Sequence, residues 1–277
     1  MEFKMEPDYI VEKAFKHLKE SLADEIGKLS KQEIQRVREA MSIVSKNYLE
    51  LKEKAQDGKA PAECLSHLDE DHVKLIKGSL ENQTYEMTLT DMEATFSFRG
   101  NTLEYPTRTS LRDGEGADQA GKLQVASIII ESLIFVLNVG GISVPGGAGR
   151  REVVERVIEI LERFPTLYRI IARMAAASRR GNVREIVEDI FQIVRILWEG
   201  GAFWSIIKLI FGSMSLFDWI ETAAKIAAEI VAVVGTAGTA FIAELVIQVA
   251  NAVNFIRKLN NLTMLSGRSA MLNSFLY

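Results

Sequence analysis

Cysteine and proline are scarce in this chain of 277 residues, and each scarcity excludes a class of structure. The one cysteine, Cys64, excludes an intramolecular disulfide framework and a zinc site built from cysteines alone. Five prolines are too few for long disordered linkers. We therefore expect a chain of this length to bury a sizeable core without covalent staples.

Long uncharged runs are also missing, although the mean hydropathy is slightly positive at +0.07. No stretch of about 20 residues, the length that a membrane-spanning helix needs, is free of charge. Residues 1–10 are charged and lack the apolar segment of a secretory signal. The sequence predicts a protein that is cytoplasmic as synthesised, or released without a classical signal peptide.

Catalytic and cofactor motifs are absent from the sequence. The glycine-rich segment 140–147 follows a helical pattern and lacks the lysine of a phosphate-binding loop, so we interpret it as a connection between helices. Cys64, His67 and His72 form the one candidate metal cluster, but no second cluster completes four ligands, and the signatures of a Cys–His catalytic pair are lacking. The sequence therefore predicts a non-enzymatic protein without a cofactor or metal.

Charge divides the chain near residue 120. Up to Lys122 the acidic residues outnumber the basic ones by 24 to 18, whereas from Leu123 onward the basic residues lead by 15 to 13. A run rich in Gly and Asp at 113–118 precedes the change. We predict two units, a charged helical hairpin with a small β-unit over 1–120 and an apolar-cored helical bundle over 121–277.

The first unit combines helical and strand periodicities. Apolar residues recur at three- and four-residue spacing over 8–28 and 30–54, which predicts a helical hairpin. Residues 84–108 instead alternate between apolar and polar, and Gly100-Asn101 lies between two alternating runs as a two-residue turn. We predict a small antiparallel β-hairpin or meander there, packed on the helices because an isolated hairpin is only marginally stable.

After residue 120 the pattern is helical throughout. Along the whole chain, three predicted helix starts carry a capping pattern, in which an acidic side chain follows a side-chain hydroxyl or amide by three residues. These patterns are Ser30 with Glu33, Asn182 with Glu185, and Ser215 with Asp218. The last two helices form an apolar hairpin over 216–259 with a glycine-rich turn at 235–238. We predict a mainly α fold, a multi-helix bundle around this hairpin with the β-unit as an insertion.

The apolar hairpin 216–259 suggests a membrane function. Its polar residues lie in narrow stripes, and helices that are apolar nearly all round are either central in a bundle or destined for a bilayer. Glu221, Lys225 and Glu229 are four apart, so we expect them to share a face and pair. Acid would neutralise the carboxylates, and the tryptophans would then reach the lipid interface. The residues of this hypothesis are Trp198, Trp204, Trp219, Glu131, Glu221, Glu229 and Glu244.

Ten arginines lie between residues 150 and 195, interleaved with acidic residues. Most of these charges lie three or four apart and can satisfy each other, which disfavours nucleic acid as a partner. The best basic patch, which we expect to contact anionic lipid, consists of Arg173, Arg179, Arg180 and Arg184. If the arginine patch binds anionic lipid and acid neutralises the carboxylates of the apolar hairpin, we expect the protein to release dye from anionic liposomes below about pH 5.

The organisation of residues 123–261 resembles the pore-forming domains of colicins, in which amphipathic helices wrap a buried apolar hairpin. This resemblance of architecture implies a toxin- or effector-like protein that engages or inserts into membranes. The hairpin of this chain departs from that family because it carries Glu221, Lys225, Glu229 and Glu244, whereas a colicin hairpin is almost uncharged.

A second hypothesis assigns the bundle a structural or regulatory role in protein–protein interaction. In it the hairpin is the central layer of the bundle and its few charges point to the surface. Exposed tryptophans and the arginine patch would then bind a protein partner or a second copy of the chain.

Overall fold

A computed structural model of the protein describes residues 6–56, 86–89, 93–98, 101–106, 115–144, 151–180, 182–212 and 214–234. This part of the chain is mainly helical, which confirms the predicted class. Its helices are α1 (Pro7–Ser21), α2 (Ala23–Ile26), α3 (Lys31–Gln56), α4 (Glu115–Val139), α5 (Arg151–Arg163), α6 (Thr166–Arg179), α7 (Val183–Glu199), α8 (Phe203–Phe211) and α9 (Leu216–Val234).

Three short strands form one antiparallel sheet. They are β1 (Glu86–Leu89), β2 (Glu93–Phe98) and β3 (Asn101–Pro106), in the order β1-β2-β3. The sequence pattern predicts that Asn101 forms a two-residue turn with Gly100. In the structure Asn101 is instead the first residue of β3 and lies opposite Phe98. Gly100 itself lies outside the described residues.

The single helix predicted over 8–28 is in fact two helices. The chain leaves helical geometry at Leu22, where φ is −131° and ψ is 41°, and α2 begins at the next residue. Leu18, Leu22 and Ile26 are all buried at four-residue spacing, so the apolar pattern continues across the break. The pattern alone therefore cannot reveal the interruption.

Predicted capping side chains begin three of the helices. At the start of α3 the Glu33 amide donates to the Ser30 hydroxyl oxygen (3.3 Å), and the Ser30 amide donates to the Glu33 carboxylate (2.8 Å). The Asn182 side chain accepts an amide hydrogen bond at the start of α7 (3.2 Å), and the Ser215 hydroxyl does so at α9 (3.3 Å). Each bond satisfies an amide that the helix itself leaves unpaired.

Glycine pairs end α4 and α7 in the same way. Gly141 (φ +76°) and Gly201 (φ +70°) adopt the left-handed conformation that glycine accepts most readily. In each case the amide after the glycine donates to the carbonyl five residues back, at 2.8 Å from Ile142 and at 3.0 Å from Ala202. This is the Schellman arrangement, and it turns the chain sharply out of the helix.

Helix α4 is buried on every side. All of its side chains from residue 125 to residue 138 are buried, and α5, α6 and α7 pack against it. A helix without an exposed face is a central element of a bundle. The predicted central hairpin 216–259 is described only as far as α9, since residues 235–259 lie outside the described part of the chain.

Helices α1 and α3 pack on each other and on α9. One hydrophobic cluster includes their inward side chains together with those of α4–α9. Their outward side chains are largely charged, and the buried ones include Ile10, Ala14, Leu18, Val37 and Met41. We refer to residues 7–56, which comprise α1, α2 and α3, as the N-terminal cover.

Candidate functional site

All three tryptophans meet where α7, α8 and α9 come together. The ring centre of Trp204 lies 5.6 Å from that of Trp198 and 6.1 Å from that of Trp219. Phe203 contacts Trp198 and Trp204 edge-on, and Phe211 lies beside Trp219. We call these five residues the aromatic cluster. Trp204 and Trp219 are only 7% and 6% exposed, so the hypothesis of exposed tryptophans does not hold for them.

His17 of α1 joins the N-terminal cover to the aromatic cluster. Its ring stacks on Trp198 with 3.8 Å between ring centres and 19° between planes, and its Nε2 accepts the Trp204 Nε1–H at 3.4 Å. Burial is the largest cause acting on the imidazole and lowers the pKa of His17, while the charge of Glu20 opposes it by less. The sequence pattern places His17 beside the apolar stripe of α1 and contains no signal that it meets the tryptophans.

Two further contacts attach the cover to the bundle. Lys208 of α8 donates to Glu25 of α2 at 2.7 Å, and this bond holds the pKa of Glu25 below its usual value. Arg36 of α3 lies over the Phe217 ring of α9, 4.5 Å from its centre. Both contacts lie at the rim, where the cationic side chains remain exposed.

Glu229 of α9 is the most unusual charged residue of the described part. Its side chain is 2% exposed, and neither carboxylate oxygen has a hydrogen-bond partner among the described residues. The carboxylate lies against Gly140, where an added Cβ would come within 1.9 Å of Oε2. Burial therefore raises the pKa of Glu229 well above 4.5, although the nearby Gly140 amide lowers it by a smaller amount.

The predicted pairing along α9 is only partly correct. Glu221 and Lys225 do form an ion pair at 2.7 Å, but Glu229 is directed into the core instead of continuing the stripe. Each step of four residues advances about 40° around a helix, so Glu229 lies about 80° round from Glu221. Residue 229 also lies in the stretch 226–233, where every side chain is buried, so its position along α9 accounts for its burial.

The raised pKa changes the predicted response to acid. The folded state binds a proton at Glu229 more tightly than the unfolded state, so this residue favours the fold in acid and weakens it as the pH rises above 4.5. Protonation of Glu229 thus cannot release α9 from the bundle. Glu131 of α4 is also buried, at 6% exposed, and Glu244 lies outside the described residues.

Acidic residues of α7 neutralise the predicted arginine patch. The Asp189 carboxylate is almost fully buried, and burial raises its pKa even though Arg173 binds it. The side chain of Arg179 is not described. The observed pairs are Arg173 Nε with Asp189 (2.8 Å), Arg180 with Glu185 (2.7 Å) and Arg184 with Glu188 (3.0 Å). This local pairing weakens any attraction of the patch to anionic lipid.

The candidate metal cluster of Cys64, His67 and His72 lies outside the described residues. Within the described part, no three His, Cys, Asp or Glu side chains come close enough together to hold a metal ion. The described helices also include none that is long and apolar enough to cross a membrane. Comparison with protein-family models, with curated proteins and with solved structures gives no match to this chain.

Proposed function

We propose that the protein engages membrane surfaces through α9, and that the N-terminal cover conceals this helix until the cover moves away. The supporting observation is the burial of α9, in which every side chain from residue 226 to residue 233 is buried. Eight consecutive residues make more than two turns, so α9 is enclosed on all sides over this length. A helix of this kind is unstable in water once it is uncovered.

The cover is built as a separable layer. Its helix α1 turns Ile10, Ala14 and Leu18 inward, whereas Glu12 and Lys16 are exposed. Because its outer face is charged, this face of the cover remains solvated after the cover leaves the bundle. An amphipathic helix can also rest its apolar face on a lipid interface, so a displaced cover can remain bound to the membrane.

The proposed mode of engagement is interfacial rather than spanning. Helix α9 is 19 residues long and carries Asp218, Glu221, Lys225 and Glu229. Its partly exposed Glu221–Lys225 pair gives it a polar edge that can face the headgroups while the apolar remainder enters the acyl boundary. The tryptophan of α9, Trp219, belongs to the residue type that prefers this boundary.

Apolar burial is the driving force in this proposal. The arginine patch is paired within the bundle and the net charge of the chain is −4, so electrostatic attraction to anionic lipid contributes little. We therefore expect vesicles of zwitterionic lipid to bind the protein nearly as well as vesicles containing anionic lipid, with little dependence on salt.

A charge swap at the rim of the cover tests the proposal. The full chain is incubated with phosphatidylcholine vesicles, with and without phosphatidylserine, and the bound fraction is measured by flotation. Glu25→Lys breaks the bond to Lys208 and is expected to raise binding by up to about fivefold, the range of an ion pair near the surface. The double variant Glu25→Lys/Lys208→Glu restores the pair with reversed polarity and should return binding to the original level.

A matched control separates opening of the cover from general destabilisation. Glu162→Lys breaks the exposed pair with Lys122, which joins α5 to α4 away from the cover, and should leave vesicle binding unchanged. Failure of both the parent protein and Glu25→Lys to float with either vesicle would overturn the proposal. Self-association of Glu25→Lys without lipid binding would instead support the interaction bundle, with a second copy as the partner.

A further inference from the structure

The hydrogen bond between His17 and Trp204 requires a particular protonation state. An indole N–H is a donor and never an acceptor, so the Nε2 atom of His17 must carry no proton and must accept the bond. A proton added to Nε2 would set two donors against each other. Trp204 is only 7% exposed, so its N–H has little access to water as a replacement acceptor.

We infer that His17 is an acid-sensitive latch, which holds the cover on the aromatic cluster while its Nε2 is unprotonated and releases it on protonation. The consequence of release, exposure of α9 to lipid, rests on the proposed function. The latch itself concerns only the contact between α1 and the bundle.

The protonated imidazole can form a hydrogen bond within α1 in place of its bond to the bundle. The Ser21 hydroxyl, which is exposed and also belongs to α1, lies 3.3 Å from the same Nε2 and can accept from it once it is protonated. The other indole of the cluster with a buried N–H, that of Trp219, has no hydrogen-bond acceptor among the described residues. Protonation thus exchanges a bond between α1 and α8 for a bond within α1.

Two effects on the protonated ring oppose each other. Stacking on Trp198 favours an imidazolium, because a cation is attracted to the face of an indole. Half-burial of the ring disfavours it, and burial is the larger cause that lowers the pKa of His17. Glu20 of α1 is the charged group that raises this pKa, and no charged side chain of α3 or α9, which also pack against α1, acts on it measurably. The contacts of the imidazole with α7 and α8 are to the uncharged rings of Trp198 and Trp204.

The direction of the pH response follows from the lowered pKa. The released cover binds a proton at His17 more tightly than the latched cover does, so the latch holds fully above about pH 6.5 and weakens as the pH falls below it. Glu229 responds in the opposite sense, since acid favours its neutral form inside the fold. Acid therefore loosens the cover while it keeps the core carboxyl of α9 uncharged, the form that an interface accepts.

Hydrogen exchange of α1 in the full chain, without lipid, tests the latch. Amide protection over residues 7–21 is compared at pH 7.5 and pH 5.5 after correction for the intrinsic exchange rate. We expect protection to fall by about two- to tenfold at the lower pH, the range for the loss of one hydrogen bond. The His17→Gln variant can still accept from Trp204 but does not titrate, so its protection should not change. The His67→Gln/His72→Gln variant removes the other two histidines and should behave as the parent does.

A second variant keeps the inference testable if His17→Gln does not fold. Trp204→Phe retains an aromatic ring but removes the donor that favours the neutral imidazole, so the pKa of His17, measured by NMR titration, should rise, while burial of the ring still holds it below the ordinary value. Equal α1 protection at both pH values in the parent, or an undiminished pH response in His17→Gln, would overturn the latch. Acid loosening of α1 without vesicle binding at pH 5.5 would retain the latch and overturn the proposed membrane function.

Discussion

The contact between the N-terminal cover and the bundle differs in kind from the contact between α9 and the end of α4. The first is made by a half-buried histidine, His17 with Trp204, and by a partly exposed ion pair at the rim, Glu25 with Lys208. The second places Glu229 against Gly140 in the closed interior, without a hydrogen-bond partner among the described residues. A rim contact of this kind can be broken and remade by small changes in charge, whereas the interior contact changes only when the bundle opens.

Removal of an indole from the aromatic cluster should have the largest effect on stability. Trp204→Ala leaves a cavity among buried rings, and we expect it to lower the free energy of unfolding by about 3–5 kcal/mol, measured by urea denaturation. The matched control is Ile43→Ala, whose side chain is 61% exposed and whose loss should change stability by less than about 0.5 kcal/mol. Equal effects of the two substitutions would contradict the assignment of the cluster to the core.

Neutralisation of the interior carboxyl should give the next largest effect, with a defined pH dependence. Glu229→Gln keeps the shape and removes the ionisable group, so we expect about 1–3 kcal/mol of added stability at pH 8, because a neutral amide costs less to bury than a carboxyl that ionises in water. The gain should disappear near pH 4, where the parent carboxyl is neutral as well. Urea denaturation at both pH values measures it, and Glu221→Gln, which disrupts a partly exposed pair, serves as the control. A gain that is equal at both pH values would exclude ionisation of Glu229 as its cause.

Loss of the cap of α3 should have the smallest effect on stability of these substitutions, and its effect on hydrogen exchange should be confined to the cover. Ser30→Ala removes the hydroxyl that begins α3, and we expect a cost of about 1 kcal/mol. Because α3 belongs to the cover, the increase in hydrogen exchange should be concentrated in α1 and α3 and should spare α4. Ser143→Ala, at an exposed position without a capping role, should leave exchange unchanged. An equal increase in α4 would show that the cover and the bundle open together.

Local features of the chain are predictable because short-range physics decides them. The starts of α3, α7 and α9 follow from side chains that cap amides within three residues, and the breaks at Gly141 and Gly201 follow from glycine's freedom to adopt positive φ. The break at Leu22 is different, since nothing in the apolar spacing distinguishes it from the helical residues on either side.

The candidate site depends on contacts between residues far apart in the chain. The tryptophans are conspicuous in the sequence, but their partner His17 lies more than 180 residues before Trp204, and no local pattern links them. The ion pairs that Arg173 and Arg180 form with α7 likewise turn a conspicuous arginine patch into a largely neutral face. Charge counts along the chain describe composition, whereas the surface potential depends on which opposite charges the packing brings within a few ångströms.

By itself, the sequence determined the helical class, the capped starts of α3, α7 and α9 and the concentration of apolar residues after residue 120, because backbone propensity and capping act over a few residues. Tertiary structure alone decided which titratable groups are desolvated by burial. Glu229 lies in the stretch 226–233 of α9, where every side chain is buried, whereas Glu221 lies at a partly exposed level and pairs with Lys225. His17 became part of the candidate site only because α1 packs against α9, next to the tryptophan rings of α7 and α8. The desolvation that shifts both pKa values is a property of the assembled core, and no single segment of the chain contains it.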